Sequence, residues 1–160
     1  MIIFDPVCVK PYVELSRYQQ LSSDDTDLWT VFMRRYPDYF LEVQYDYAVS
    51  KPGCFGPFIP ICGFQRKYTT SYSKRADVVA RCTRGTYVIE LKPSAGAHAY
   101  GQICVYLHCF RRMFADHVNV RGFIITDIMD CDALTLCTLH GILVCQLSLP
   151  LGQDFNLVDN

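Results

Sequence analysis

Arg75-Ala76-Asp77-Val78-Val79-Ala80-Arg81-Cys82-Thr83-Arg84-Gly85-Thr86-Tyr87-Val88-Ile89-Glu90-Leu91-Lys92 is the segment around which the rest of the chain organises. Two runs rich in branched residues, Ala76 to Cys82 and Thr86 to Lys92, predict strands, with a tight turn around Arg84-Gly85. Side chains two apart on a strand share a face. Glu90 and Lys92 therefore point one way, and Tyr87, Ile89 and Leu91 the other. With Arg84 and Gly85 as the turn, Thr83 faces Thr86, and Asp77 falls opposite Lys92 and diagonal to Glu90. A slip of one residue would move the whole set to the wrong face, so the expectation depends on the turn length.

Two carboxylates and an amine on one face suit a hard divalent cation, Mg²⁺ or Mn²⁺. Waters and a phosphate oxygen would complete its octahedron. Asp77 and Glu90 are the expected ligands, and the backbone carbonyl of Leu91 is placed to add another. Such an ion polarises a phosphodiester and lowers the pKa of a bound water. Lys92 would orient that water or offset charge on the phosphate. Asp77, Glu90 and Lys92 are thus the candidate catalytic residues. The competing reading is a surface hairpin with a weak cross-strand ion pair. Against it, Glu90 and Lys92 end a strongly apolar strand and precede a loop.

Charge distribution supports an anionic partner. The net charge is only −1, but residues 66–84 hold six bases and one acid, Asp77. Lys74 and Arg75 are candidate substrate contacts within that stretch. Tyr68 and Tyr72, interleaved with Lys67 and Lys74, could stack on bases.

Outward from the hairpin, a helix capped at Ser22-Ser23-Asp24-Asp25 is expected to run to about Tyr36, before Pro37. Tyr12 to Gln20 reads as a short helix and Phe40 to Val49 as a strand. Residues 50–64, with three prolines and three glycines, read as a loop, part of an insertion over about 50–75. Residues 98 to about 114 form the clearest helix: Ile103, Leu107, Phe110 and Phe114 make an apolar stripe. A strand at Gly122 to Thr126, a helix at Asp130 to His140 ended by Gly141, and a strand at Ile142 to Leu149 complete the order. This β-β-β-α-β-α-β order behind an N-terminal helix predicts an α/β domain, a mixed central sheet flanked by helices, over residues 1–160 with its core at about 24–149.

The nine cysteines lack disulfide spacing and mostly sit in apolar runs, so reduced core thiols are expected. Cys131, Cys137, His140 and Cys145 are the best zinc-like grouping, without a C-x-x-C pair. No stretch has the layout of a signal peptide or the length of a membrane span. The expected setting is intracellular, cytoplasmic or nuclear, with a viral or plasmid origin among the options, and no membrane partner.

Asp77, Glu90-Leu91-Lys92 and the helix Gly101-Gln102-Ile103-Cys104-Val105-Tyr106 together resemble the PD-(D/E)XK nucleases. Gln102-x-x-x-Tyr106 is similar to the Q-x-x-x-Y signature of the RecB-like branch. Val120 to Ile125, a helix, and His140-Gly141-Ile142 before a strand resemble the catalytic domain of NucS-type mismatch endonucleases. The resemblance covers about residues 24–149 and implies a restriction-endonuclease-like core. It also implies Mg²⁺-dependent cleavage of nucleic acid, DNA ahead of RNA, with Gln102 and Tyr106 aligning the substrate. His98, between the E-x-K strand and Gln102, is a further candidate for touching a phosphate.

Two departures stand out. Ala76 replaces the usual proline before the aspartate, and the N-terminal helix, which in the family supplies a glutamate, offers Asp24, Asp25 and Asp27. Asp27 is the expected substitute ligand, with Glu14 and Glu42 as competitors. The family's separate DNA-binding domain has no counterpart in this sequence, so recognition is expected from the 50–75 loop, a homodimer partner or another subunit. The alternative function is a nuclease-derived binding or assembly module with little catalysis.

Overall fold

The computed structural model describes residues 12–18, 21–50, 74–114 and 119–157. The expected insertion, with Tyr68, Tyr72, Cys54 and Cys62, lies almost wholly outside them. In chain order the elements are α1 (Ser23–Arg35), β1 (Glu42–Ala48), β2 (Arg75–Cys82), β3 (Gly85–Leu91), β4 (Ser94–Ala95), α2 (Ala97–Met113), β5 (Val120–Thr126), β6 (Ile128–Met129), α3 (Cys131–Leu139) and β7 (Leu143–Gln146). The five long strands form one sheet, ordered β1-β2-β3-β5-β7. The first three run antiparallel, while β3, β5 and β7 run parallel. A small parallel pair, β4–β6, sits apart. Among the described residues, no helix is long and apolar enough to cross a membrane.

Helices cover both faces. α1 begins where Ser22 accepts the Asp25 N–H, with Asp24 and Asp25 in its first turn and Arg34 and Arg35 in its last. Its buried residues Leu28, Trp29, Phe32 and Met33 fall on one stripe. They meet an aromatic layer from the sheet, with Phe32 and Tyr87 each packed edge-on to Phe123, at ring separations of 5.6 and 5.7 Å. On the other face α2 lays Ile103, Leu107 and Phe110 against Val88, Ile124 and Val144. Phe114, expected to extend that stripe, is half-buried. Gly122 allows the close approach: a Cβ there would stand 2.9 Å from both Ile103 Cγ1 and Leu107 Cδ1.

The sequence expectations differ from the structure at three places. Residues 12–18 form no helix. The last strand is shorter than expected, because the chain turns after Gln146 and folds back along it. That returning segment covers the edge of β7 through Gln146 N–H to Asp154 O (2.7 Å) and Asn156 N–H to Val144 O (3.1 Å). Buried Asp154 also binds Arg35 at 3.2 Å and accepts the Tyr36 hydroxyl proton, tying the tail to the end of α1.

The third difference concerns the turn. Cys82 pairs with Gly85 and Arg81 with Thr86, so the turn residues are Thr83 and Arg84. Gly85 has φ +148°, and a Cβ there would overlap the Asn119 carbonyl oxygen. That same oxygen accepts the Thr86 N–H at 3.1 Å. Gly85→Ala should therefore destabilise the fold by about 2 kcal/mol through strain and collision. Urea denaturation would measure it, and an unchanged midpoint would contradict this account.

Candidate active site

The corrected turn moves the rungs without turning side chains over. Continuing the observed ladder places Asp77 opposite Glu90, not Lys92, and the parity of the strand is kept. The ladder itself stops at Val78–Ile89. Beyond it the backbone is irregular. Tyr45 pairs with Val78 and Tyr47 with Ala76, the Asp46–Asp77 rung is missing, and Asp46 has φ +49°. Alternation slips as well: Val78 packs toward α1, but Ala76, two residues earlier, packs toward α2. In this gap the Asp77 carboxylate takes the place of a backbone carbonyl, accepting the Leu91 N–H at 2.8 Å.

Glu90 faces α2, on the same side of β3 as Val88, and is only 3% exposed. Its Oε2 has no hydrogen-bond partner. A buried, unpartnered carboxylate oxygen is costly, since its desolvation goes unrepaid. Burial first, and then the neighbouring Asp77, push the Glu90 carboxyl up to about 8. Burial raises Asp77 to about 6, partly offset by the Leu91 N–H. The Lys92 ammonium lowers both. Two acids that resist ionising side by side, next to an amine, form a poised anionic site.

The third acid is Asp25. Its charge raises both Asp77 and Glu90. Asp27, the expected ligand, lies on the exposed side of α1 and does not figure among those charges. The sequence held the signal: Asp25 stands three, four and seven residues before Leu28, Trp29 and Phe32, on the buried stripe, and Asp27 does not. Ser22 Oγ donates to Asp25 Oδ2 at 2.6 Å and receives the Asp25 N–H at 3.2 Å, which fixes the helix start. The competitors lie elsewhere: Glu14 pairs with Arg34 and Glu42 with Arg81.

Gln102 and Tyr106 come together on α2, with Gln102 Nε2 donating to the Tyr106 hydroxyl at 3.2 Å. Burial and the charge of Glu90 raise the Tyr106 hydroxyl, which places it near the carboxylates. Gln102 Oε1 is a second buried, unpartnered oxygen. Lys92 and exposed His98 line one cavity of about 500 Å³, with Asp130 on its rim. Arg75 is held by Asp46, its Nε 2.5 Å from Oδ1, and Lys74 is exposed.

Among the described residues no three His, Cys, Asp or Glu side chains gather closely enough to hold an ion by themselves. An ion at Asp77 and Glu90 would thus need a backbone oxygen or water in its shell. The zinc-like grouping is not assembled: Cys137 packs on the α2 side of the sheet and Cys145 on the α1 side. Both are free, buried thiols, pushed up by burial to about 11 and about 12.

No known protein family's sequence pattern matches the chain. No curated protein is similar enough in sequence to count as a relative. Solved structures do match. A repair endonuclease from Pyrococcus abyssi superposes with a TM-score of 0.52 at 19% identity, covering 82% of this chain and 49% of that one. A protein of unknown function, AF1548, gives a TM-score of 0.52 at 14% identity, covering 79% and 59%. EndoMS in its apo form aligns at 20% identity with a TM-score of 0.48, covering 84% and 49%. The chain spans about half the length of the two endonucleases. Its five-stranded mixed sheet with helices on both faces is the endonuclease-like α/β fold that Asp77 and Glu90-Leu91-Lys92 led one to expect.

Proposed function

We propose that this domain is a metal-dependent nuclease that hydrolyses nucleic-acid phosphodiesters, DNA ahead of RNA. One observation carries the reading: Glu90 Oε2 is buried and unpartnered beside Asp77, in an endonuclease-like fold. A carboxylate pair so placed gains most from a divalent cation, which satisfies the orphan oxygen and removes the mutual repulsion. The residues fit Mg²⁺ or Mn²⁺ held by Asp77, Glu90 and the Leu91 carbonyl, with Asp25 adding negative charge from α1. When bound, the ion supplies neutralisation at the scissile phosphate and a water of lowered pKa.

Lys92 offsets charge that builds on the phosphate and orients the attacking water through its N–H donors. Gln102 and Tyr106 position the strand on the α2 side of the carboxylates. His98, which lines the same cavity as Lys92, offers a further donor to a phosphate oxygen. The preference for DNA rests on the Pyrococcus protein being a repair endonuclease. This chain matches about half of that one, so the match leaves the rest of that protein's surface without a counterpart among the aligned residues.

That no three-acid cluster is found among the described residues favours a second reading, a binding or assembly module with little catalysis. Calorimetric titration with Mn²⁺ and Mg²⁺ separates the two. The nuclease binds the ion in wild type and loses it in Asp77→Asn and Glu90→Gln. A cleavage panel of single-stranded, duplex, flapped and mismatched DNA, plus RNA, then fixes the substrate. No metal binding and no cleavage across that panel would sink the nuclease reading.

A further inference from the structure

On the opposite side of α2 from Gln102 lies a second cavity, of about 380 Å³, within the range of small-ligand sites. His108, Arg111 and Arg112 line it from α2, His140 from the end of α3, and Gly122 from β5. Arg111 stands nine residues after Gln102, a half-turn away around the helix at about 100° per residue. The two faces of α2 therefore serve different sites. No Asp or Glu lines this cavity among the described residues.

We propose that this cavity binds a phosphate group. Arginines near a helix C-terminus can simply complement the dipole, so the charges must be weighed. α2 and α3 both end here, and each terminus carries roughly half a negative charge. Arg111, Arg112 and Arg121 line the cavity with three full positive charges, leaving a surplus of about two. Arg111 donates one N–H to Val120 O at 2.9 Å, which fixes the guanidinium and leaves its other donors for a ligand. His140 uses Nδ1 with the Tyr100 hydroxyl at 2.6 Å, which leaves its Nε2 as the second ring nitrogen. At Gly122 a side chain would collide with Ile103 and Leu107, so the wall beside the cations stays bare. Forked donors around an open, acid-free cavity match phosphate oxygens.

The phosphate could belong to a free small molecule or to a nucleic-acid backbone, and the test separates them. Inorganic phosphate, a 5′-mononucleotide and a short oligonucleotide would each be titrated in EDTA against wild type, Glu90→Gln, Arg111→Gln and Arg112→Gln. Arg112 makes no structural hydrogen bond among the described residues, so its variant should fold even if Arg111→Gln does not. Wild type and Glu90→Gln should bind inorganic phosphate alike, and Arg112→Gln should weaken binding roughly tenfold relative to wild type, the scale of one charge-assisted hydrogen bond. Loss confined to phosphate and mononucleotide assigns a small ligand. Loss for the oligonucleotide, with the salt slope reduced by about one, assigns a backbone phosphate. Equal affinity of wild type and Arg112→Gln for all three probes, or no binding of any by wild type, overturns the proposal. Absence of cleavage activity leaves it standing, since the metal site takes no part.

Discussion

Glu90→Gln is expected to reduce phosphodiester cleavage by about a thousandfold or more while the fold survives, the scale on which removal of a key electrostatic group acts. Glutamine keeps the shape of glutamate but loses its charge, so the buried position next to Asp77 is preserved and the ion's anchor is not. Stability should not fall, because the wild-type carboxyl is already strained by burial and by Asp77. Lys92→Ala should lose about a hundredfold to a thousandfold, with metal affinity retained, since the amine acts on the phosphate and water. Circular dichroism confirms folding, and a single-turnover assay in Mg²⁺ or Mn²⁺ gives the rates. Equal cleavage by wild type and both variants would refute the assignment.

The second large effect is a stability that falls as pH rises in metal-free buffer. Glu90 goes from an ordinary 4.5 to about 8 on folding, and Asp77 from 3.8 to about 6. Between the unfolded and folded values, the folded chain binds more protons than the unfolded one. Stability is therefore complete below the unfolded values, declines through the window, and stays low above about 8. At roughly 1.4 kcal/mol per unit, the Glu90 contribution is bounded on the order of 5 kcal/mol. The stability gain of Glu90→Gln over wild type should thus grow from about pH 5 to about pH 9. Urea denaturation at each pH measures it, and a constant difference would contradict the burial of a strained carboxyl. A saturating divalent ion should erase the slope, because it takes the place of the bound protons.

Legibility in the sequence followed the strength of local pattern. The α2 stripe of Ile103, Leu107 and Phe110 and the apolar run of β3 each allowed one periodicity, and both elements appear as read. The turn was misplaced because Gly85 suggested a turn glycine. Its actual task is to clear the Asn119 carbonyl, a tertiary contact that no hairpin rule contains. The acids of β2 and β3 still come side by side, because alternation tolerates that shift. Of the three helix aspartates, adjacency to Leu28 singled out Asp27, whereas the buried stripe carries Asp25 toward the two strand acids. The irregularity at Asp46 and Asp77 could not be read at all, for it is a single missing rung, with Asp46 at φ +49°, inside a ladder whose register is otherwise unbroken. The returning tail carried no periodic signal, only a buried aspartate and an asparagine amide working against a strand edge.

That tail bears on more than the sheet margin it covers. Asp154 grips Arg35 at one end of a rigid rod whose other end carries Asp25, about 15 Å away at 1.5 Å per residue. A lever clamped at its heel transmits small tilts to its tip. The placing of Asp25 beside Asp77 and Glu90 is thus tied, through one helix, to an ion pair at the far end of that rod.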